Sequence, residues 1–382
     1  MDKEYRIGII YNHKSNWVGG TYYIQNIVSC LNYISTDCKP AIVVFSESET
    51  DFKELQRATG YLKMEFIHFG PKRGVVRYID AFYRKLTGKE QNLINIIDVK
   101  KYNVDIVYPF EVIVRQNQSI AWIPDLQEKH LPQLFSKSTI EARNHTYWYY
   151  IKNRMPIVFS SQDSLKDFRQ YVSNDYPLTY VVPFAVSHPD FSQENIQELK
   201  IKYGIRENYL FCANQFWIHK NHKFLFEVML EAKKRGLKLQ LLCSGKFYDQ
   251  RNPSYGQELQ SFIKQNDLED TIILLGFISR EEQLCLMKNS YAIIQPSLFE
   301  GWNTTVEDAK CLNKFIFLSN LEVHKEQNPQ NVCFFNPYSK EDLVNKLLTV
   351  KPTNYPYDYE ENRKQCGVAF LKVIKDVVAS KC

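Results

Sequence analysis

Short apolar runs separated by amphipathic segments alternate along the first half of the chain. Residues 22–33 have a spacing of apolar positions that predicts a helix. Strand-length apolar runs occur at 5–11, 41–45, 106–108, 120–122, 157–160 and 180–183. Because runs of this length between helical segments are typical of buried parallel strands, the pattern predicts an α/β domain with a covered parallel sheet.

A second series of the same kind begins at residue 209, after a polar stretch at 187–190. Its predicted strands are 209–212, 239–243, 271–275, 292–295, 315–318 and 332–335. Its predicted helices are 223–235, 255–265, 280–288, 305–312 and 340–348. Two such sheets in tandem predict an interdomain cleft beyond the carboxyl ends of the strands, where open α/β sheets bind ligands.

The length of 382 residues also favours two domains, because a single hydrophobic core rarely grows to that size. We predict a first domain over 1–185 and a second over 186–357. Residues 360–379 then form one amphipathic helical pattern after a proline- and tyrosine-rich stretch. We therefore expect residues 358–382 to contain a helix that crosses back and packs on the first domain.

Composition excludes several classes of protein. A net charge of +5 is too small to indicate a nucleic-acid-binding surface. The nine cysteines are scattered without a C-x-x-C pair, which indicates reduced core thiols. No apolar stretch approaches the roughly 18 to 20 residues that cross a bilayer, and the first residues are unlike a secretory signal. We therefore expect a soluble, cytoplasmic protein.

The segment at 71–89 is amphipathic and strongly basic. One interpretation is peripheral contact with an anionic membrane, at its inner face. The other is an ordinary surface helix with a basic face.

The most informative chemistry lies in residues 295–310, where a strand ends, a tight glycine turn follows, and a helix begins near Asn303 or Thr304. Backbone N–H groups at such a helix start, together with the helix dipole, favour a phosphate or diphosphate. Glu300 precedes the turn and can accept hydrogen bonds from sugar hydroxyls. The turn therefore predicts a binding site for a phosphorylated sugar.

Two carboxylates in the first turns of the same helix suit a nucleotide. Either Glu307 or Asp308 can accept both hydroxyls of a ribose, because a carboxylate has two acceptor oxygens. The alternative interpretation is structural, since Thr304-x-x-Glu307 also has the spacing of a capping box.

A second motif occupies residues 214–222, at the end of the first strand of the second domain. Lys220 would face the same cleft and supply positive charge to a departing diphosphate. An ordinary solvated lysine is the alternative. No Asp-x-Asp motif occurs in the chain, so a metal held by that motif is not expected.

The sequence resembles the retaining, GT-B-fold glycosyltransferase family 4, the group 1 glycosyltransferases. The resemblance is strongest over 209–335, where residues 276–282, 291–295 and 296–301 follow the family pattern. It is looser in the first domain, at the predicted loop that ends in Gly19–Gly20 before the helix at 22–33, and at 122–132 and 160–164. The resemblance implies a GT-B fold, in which two Rossmann-like, doubly wound parallel-sheet domains enclose an interdomain cleft.

The resemblance also implies roles for particular residues. Glu300 resembles the first of the family's paired glutamates, and Lys220 resembles its phosphate-binding lysine. The second glutamate position falls on Asp308, with Glu307 one residue short of it, so the ribose role stays open between them. The family's arginine position falls on Gln215, which removes one fixed charge.

The implied site extends across both domains. Pro124-Asp125 occupies the place of a family His-Asp pair whose histidine reaches the donor sugar, and His130 lies five residues further on. Either Asp125 or His130 could serve the sugar or the acceptor, which gives the catalytic set Glu300, Lys220, Asp125 and His130; the alternatives are a turn-capping aspartate and a half-buried loop histidine. Base recognition is expected near the backbone of Phe277 and Ile278. The implied donor-binding set is Gly19, Gly20, Gln215, Lys220, Gly245, Phe277, Ile278, Gly301, Trp302, Asn303, Thr304, Glu307 and Asp308.

The function implied by the resemblance is a retaining, metal-independent hexosyltransferase without a cofactor. It would move a sugar from a nucleotide-sugar donor to a hydroxyl of a glycan or lipid-linked acceptor, in bacterial cell-surface polysaccharide or lipopolysaccharide-type synthesis. Because of Gln215 and the shifted acidic pair, a catalytically weak or non-enzymatic nucleotide-sugar-binding protein is an alternative. A sugar-nucleotide epimerase is another, whereas a dehydrogenase is disfavoured because no G-x-G-x-x-G follows the first strand.

Overall fold

The chain folds into two α/β domains, and the strands within each main sheet are parallel. The computed structural model describes residues 4–11, 18–69, 96–110, 113–114, 118–206, 208–249 and 251–380. The basic segment at 71–89 lies outside these residues, so both of its interpretations stay predictions. No helix in the part of the chain that is described is long and apolar enough to cross a membrane.

The first domain is built on a parallel sheet whose order reverses at its first strand. Its strands are β1 (Arg6–Ile10), β2 (Ala41–Ser46), β3 (Met64–His68), β4 (Ile96–Ile97), β5 (Ile106–Tyr108), β6 (Ile113–Val114), β7 (Ala121–Ile123), β8 (Ile157–Phe159) and β9 (Thr179–Val181). One sheet has the order β3-β2-β1-β5, and another has the order β7-β8-β9. A parallel bridge between Val107 and Ser119 joins them, while β4 pairs with β6. The reversal between β1 and β5 opens a crevice at the carboxyl ends of these strands.

Helices pack against this sheet. They are α1 (Val18–Cys30), α2 (Glu49–Thr59), α3 (Gln127–His130), α4 (Lys137–Lys152) and α5 (Gln162–Tyr171). Ile24 and Ile27 of α1 share a buried core with Ile7 and Ile9 of β1. Because every second residue of a strand points to the same face, Ile10 of β1 belongs to a different core.

The second domain has one six-stranded parallel sheet in the order β12-β11-β10-β13-β14-β15. Its strands are β10 (Tyr209–Ala213), β11 (Gln240–Ser244), β12 (Ile272–Gly276), β13 (Ala292–Gln295), β14 (Ile316–Ser319) and β15 (Val332–Phe335). Its helices are α6 (Ile196–Tyr203), α7 (His222–Lys234), α8 (Tyr255–Gln265), α9 (Arg280–Asn289), α10 (Thr304–Cys311), α11 (Glu322–Glu326) and α12 (Lys340–Thr349). Leu210 lies in one core and Phe211 in the other, so both faces of the sheet are covered.

The last helix, α13 (Glu360–Ala379), returns to the first domain. Phe370, Ile374 and Val377 lie in the same core as β1 and α1. Gly367 lets the helix approach closely, because a Cβ atom there would lie 2.5 Å from the carbonyl oxygen of Cys30. The helix α13 therefore packs against the first domain.

The two domains also contact each other beside the cleft. Both oxygens of the Glu326 carboxylate accept backbone N–H groups at the start of α5, from Gln162 at 2.7 Å and from Asp163 at 3.1 Å. Trp302 Nε1 donates to the carbonyl oxygen of Phe184 at 2.9 Å. A carboxylate suits the positive end of the α5 dipole, so these contacts hold the domains together in this arrangement.

The predicted fold class is confirmed, with several differences in detail, among them the short strands β4 and β6, which the sequence does not predict. The apolar pattern does not predict β3, because Met64–His68 is an edge strand with no fully buried residue. The sequence also predicts a loop that ends in Gly19–Gly20. Both glycines instead lie in the first turn of α1, and the residues at 12–17 are outside the described part of the chain.

Candidate active site

A cleft of about 290 Å³ lies between the two domains. Its second-domain side is lined where four adjacent strands end, and the lining residues that follow β10, β11, β12 and β13 include Gln215, Gly245, Phe277 and Glu300. Trp122 and Asp125 line it from the first domain. The cleft therefore occupies the position where open α/β sheets bind ligands.

Glu300 and Lys220 form an ion pair in this cleft. Lys220 Nζ donates to Glu300 Oε1 at 2.6 Å, and both side chains are largely buried. Oε1 also accepts from Asn303 Nδ2 at 3.0 Å and from Gln295 Nε2 at 3.4 Å. All the hydrogen bonds that the described residues give to Glu300 thus fall on Oε1, and Oε2 accepts none of them.

Asn303 is the N-cap of α10, the helix that opens behind the glycine turn. Its Oδ1 accepts the N–H groups of Thr305 at 2.9 Å and Val306 at 3.3 Å, and its own N–H donates to Gln327 Oε1. The predicted capping box is therefore wrong in register, since Thr304 follows the cap. Most donors of this helix start are already used, so a phosphate would meet chiefly the N–H of Thr304, which lines the cleft.

Gly301 is required by the first domain, which lies directly against it. A Cβ atom at this position would lie 2.1 Å from the carbonyl oxygen of Pro124 and 2.8 Å from Cβ of Asp125. The sequence suggests that this glycine serves a tight turn. The structure adds that it lets the two walls of the cleft touch beside Glu300, and the next residue, Trp302, also lines the cleft.

Asp308 is the member of the acidic pair that lines the cleft. Its Oδ1 accepts from His188 Nε2 at 2.9 Å and from an Nη atom of Arg280. Burial alone would raise the pKa of Asp308, but Arg280 and His188 outweigh it and hold that pKa below its usual value. Asp308 is therefore ionised, so its carboxylate can accept hydrogen bonds, as the predicted ribose role requires.

Glu307 does not line the cleft, because it points into the second domain. Oε1 accepts from Gln327 Nε2 at 2.9 Å and from Lys310 Nζ at 3.2 Å, and Oε2 accepts from the Tyr359 hydroxyl at 2.5 Å. Its carboxylate thus binds α10 to the segment that leads into α13. Of the two carboxylates predicted for the ribose, Asp308 is therefore the one that lines the cleft.

A Glu307→Ala protein is expected to lose about 3 kcal/mol of unfolding free energy, because buried Lys310 would keep its charge without its partner. Urea denaturation measures this loss. The control is Glu322→Ala, which breaks a Lys–Glu pair of the same spacing whose glutamate side chain is 68% exposed. It should cost at most about 0.5 kcal/mol, and equal losses in the two variants would contradict the structural role of Glu307.

The two first-domain candidates differ in position. Asp125 lines the cleft, and its Oδ1 also accepts from the N–H of Gln127 at 3.1 Å and from Arg143 Nη1 at 3.2 Å. His130 lies behind the cleft wall, where its ring contacts Phe299 and its Nε2 is 2.7 Å from Asp167 Oδ2. The hydrogen bond with Asp167 raises the pKa of His130 despite its partial burial. A direct role of His130 is thus not supported in this arrangement.

The remaining donor-site candidates mostly meet in the cleft. Gly19 lines it, but Gly20 is buried in α1 and does not. Phe277 and Ile278 line it at the end of β12. At Gly245 a Cβ atom would lie 2.1 Å from the carbonyl oxygen of Asn214, so only glycine fits there.

No group of three or more His, Cys, Asp or Glu side chains suited to a metal ion occurs among the described residues. The cleft instead carries the cationic side chains of Lys220, Lys246 and Arg280. The carboxylates of Asp125, Glu300 and Asp308 line the same cleft, so its charges suit a ligand that has both anionic groups and hydroxyls.

The site chemistry agrees with a sequence match over the second domain. Residues 195–366 match the family described as glycosyl transferases group 1. Over these residues the second domain is similar to the group 1 glycosyltransferases. Glu300, Lys220 and Asp308 all lie within the matched residues.

A curated relative of this chain is the O-antigen chain mannosyltransferase RfbU of Salmonella typhimurium. It is 22% identical over 173 residues, which make up 42% of this chain and 46% of the relative. The match thus spans about half the length of that protein.

Solved glycosyltransferase structures share the fold of the whole chain. Anabaena HepE in complex with UDP and glucose superposes with a TM-score of 0.61 at 14% identity, over 99% of each chain. A glycosyltransferase from Rickettsia africae superposes with a TM-score of 0.59 at 16% identity, over 98% of this chain and 94% of that one. The predicted GT-B fold is thereby confirmed.

Several residues that line the cleft in the second domain are not predicted from the sequence. Arg280 and Lys246 follow the ends of β12 and β11, so their place after predicted strands could have revealed them. Gln215, at the family's arginine position, accepts the N–H of Lys246 at 3.0 Å. Gln215 thus lacks the charge of the family's arginine, but the same cleft contains the cationic side chains of Lys246 and Arg280.

Proposed function

We propose that the chain is a retaining, metal-independent glycosyltransferase that uses a nucleotide-sugar donor. The observation that carries the proposal is the buried Lys220–Glu300 pair at the amino end of α10, in a cleft between two Rossmann-like domains. An ammonium group beside a carboxylate suits a ligand that has both a diphosphate and sugar hydroxyls.

The charges divide the cleft into two parts. Lys220 Nζ has three hydrogens, so it can keep its bond to Glu300 and also donate to a diphosphate. The N–H of Thr304 and the dipole of α10 add to this field. Asp308, held ionised by Arg280, then takes the ribose hydroxyls at the far side of the diphosphate.

The reaction we propose is a front-face displacement. The bond between the anomeric carbon and the diphosphate oxygen breaks, and the electron pair leaves with the diphosphate that Lys220 stabilises. The acceptor hydroxyl attacks the oxocarbenium-like sugar from the same face, and a phosphate oxygen takes its proton. Asp125 faces this cleft from the first domain, so we assign it to the acceptor or the sugar.

The donor and the acceptor are proposed as chemical classes and not as individual compounds. The relative RfbU is described as an O-antigen chain mannosyltransferase, and HepE was solved with UDP-glucose. We propose a hexosyl donor and a glycan or lipid-linked acceptor in cell-surface polysaccharide or lipopolysaccharide-type synthesis, at the cytoplasmic face of the membrane.

A calorimetric titration with UDP, GDP, ADP and CMP tests donor binding. We expect at least one nucleoside diphosphate to bind, and the anomeric configuration of the product, read by NMR, should match that of the donor. A protein that binds none of the four would contradict the proposed function. A product of inverted configuration would contradict the mechanism alone.

A Lys220→Met protein is expected to bind that nucleoside diphosphate about 10- to 100-fold more weakly, because one charge-assisted hydrogen bond is lost. Methionine keeps the apolar stem, so packing changes little. Calorimetry measures the dissociation constant. Lys223→Met is the control, since Lys223 is an exposed lysine three residues further along the chain, and its affinity should equal that of the wild type.

A further inference from the structure

The orientation of the Asn303 side chain determines how Glu300 is held. One amide hydrogen of Asn303 goes to Glu300 Oε1 at 3.0 Å, and its Oδ1 accepts two backbone N–H groups of α10. If the amide turned over, Oδ1 would face the Glu300 carboxylate and the NH₂ group would face two donors. These three contacts favour one orientation of the amide, and an acceptor for its second hydrogen would strengthen that preference.

His324 lies on the other side of this amide. It is fully buried on α11, and its Nδ1 is 2.8 Å from the carbonyl oxygen of Ser319. A carbonyl oxygen can only accept, so Nδ1 carries the hydrogen and Nε2 of the neutral ring is an acceptor. Nε2 lies 3.4 Å from Asn303 Nδ2, so it takes the second amide hydrogen.

The surroundings keep His324 neutral. Burial lowers its pKa to about 4, against the opposing effect of Glu300 and the Ser319 carbonyl, while Lys220 lowers it further. A protonated ring would present a hydrogen to Asn303 Nδ2, where the amide needs an acceptor. The chain from Ser319 through His324 and Asn303 to Glu300 therefore has a consistent donor and acceptor at every contact.

We propose that His324 is a positioning residue for sugar transfer, which fixes the Asn303 amide so that Glu300 presents its free oxygen to the substrate. The proposal rests on the function proposed above. His324 is fully buried and is not among the residues that line the cleft, so it acts through Asn303 and not by touching the substrate. Loss of its acceptor atom would slow turnover and leave nucleotide affinity nearly unchanged.

A double-mutant cycle tests this proposal. His324→Phe keeps a planar ring without an acceptor, and we expect kcat to fall about tenfold with the KM of the donor within twofold of wild type. In an Asn303→Ala background the same substitution should change kcat by less than about twofold, because its route to Glu300 is already absent. The rate is measured as nucleoside diphosphate release from UDP-glucose or GDP-mannose, whichever the wild type turns over.

Two further variants separate positioning from packing. His324→Gln can still present an acceptor oxygen to Asn303, so it should recover most of the rate and serves if His324→Phe does not fold. Val323→Ala, a buried neighbour on the same helix, should lower stability without lowering kcat. Equal, additive effects of His324→Phe in both backgrounds, or a His324→Gln protein about tenfold slow or slower, would overturn the proposal. A wild type without donor turnover would instead overturn the proposed function.

Discussion

Glu300→Gln protein is expected to transfer sugar about 10²- to 10³-fold more slowly than the wild type and still to bind nucleoside diphosphate. The amide keeps the size of the side chain and one acceptor oxygen, so the cleft retains its shape. It removes the negative charge that faces the positive charge developing on the sugar. Lys220 would then direct its charge entirely to the diphosphate, so affinity for that product should be unchanged or higher.

The measurement is kcat for donor turnover beside the dissociation constant for the nucleoside diphosphate. Glu322→Gln is a suitable control, because its glutamate side chain is 68% exposed and pairs with Lys325 at the surface. It should keep the wild-type rate. If Glu300→Gln transfers at more than about a tenth of the wild-type rate, then Glu300 is not the group that stabilises the reacting sugar.

The fold could be predicted well because its signal is local. A buried strand such as β10 is an uninterrupted apolar run, and the residue that follows its carboxyl end is known once the run is known. Lys220 and Glu300 each follow the carboxyl end of a predicted parallel strand, so the pattern could place them at the same edge of the sheet, and the structure adds that β10 and β13 are neighbours. An edge strand such as β3 escapes the same reasoning, because its exposed positions interrupt the run.

The choice between Glu307 and Asp308 could not be made from the sequence. Neighbouring residues of a helix point about 100° apart, so only one of the two can face the cleft. Both sides of α10 are covered, and Glu307 is as buried as Asp308. Tyr359 and Gln327 donate hydrogen bonds to Glu307 and hold it away from the cleft. His188 and Arg280 donate hydrogen bonds to Asp308. None of these partners is close in sequence, so the contacts leave no local sequence signal.

The contact of Gly301 with the first domain also has no local sequence signal. It leads to the second prediction of a large loss of transfer rate. Gly301→Ala protein is expected to transfer sugar about 10²-fold more slowly, because the new Cβ atom would lie 2.1 Å from the carbonyl oxygen of Pro124. Ordinary contact begins at about 3.4 Å, so Asp125 and the first-domain wall must move away from Glu300 by roughly 1.3 Å. The rate depends on the distance between groups on opposite walls, whereas nucleotide binding depends mainly on the second domain. We therefore expect kcat to fall and the affinity for nucleoside diphosphate to change little.

The control for this substitution is Gly204→Ala. Gly204 has φ of +63° and no atom within 4 Å of its Cβ position, so alanine there strains the backbone without displacing a neighbour. It should cost about 1 kcal/mol of stability and leave the transfer rate unchanged. Small-angle scattering should detect a wider interdomain arrangement in Gly301→Ala than in the control. The contact joins backbone atoms of one domain to a residue of the other. If the Gly301→Ala protein kept the wild-type rate, sugar transfer would not require this closed arrangement of the two domains.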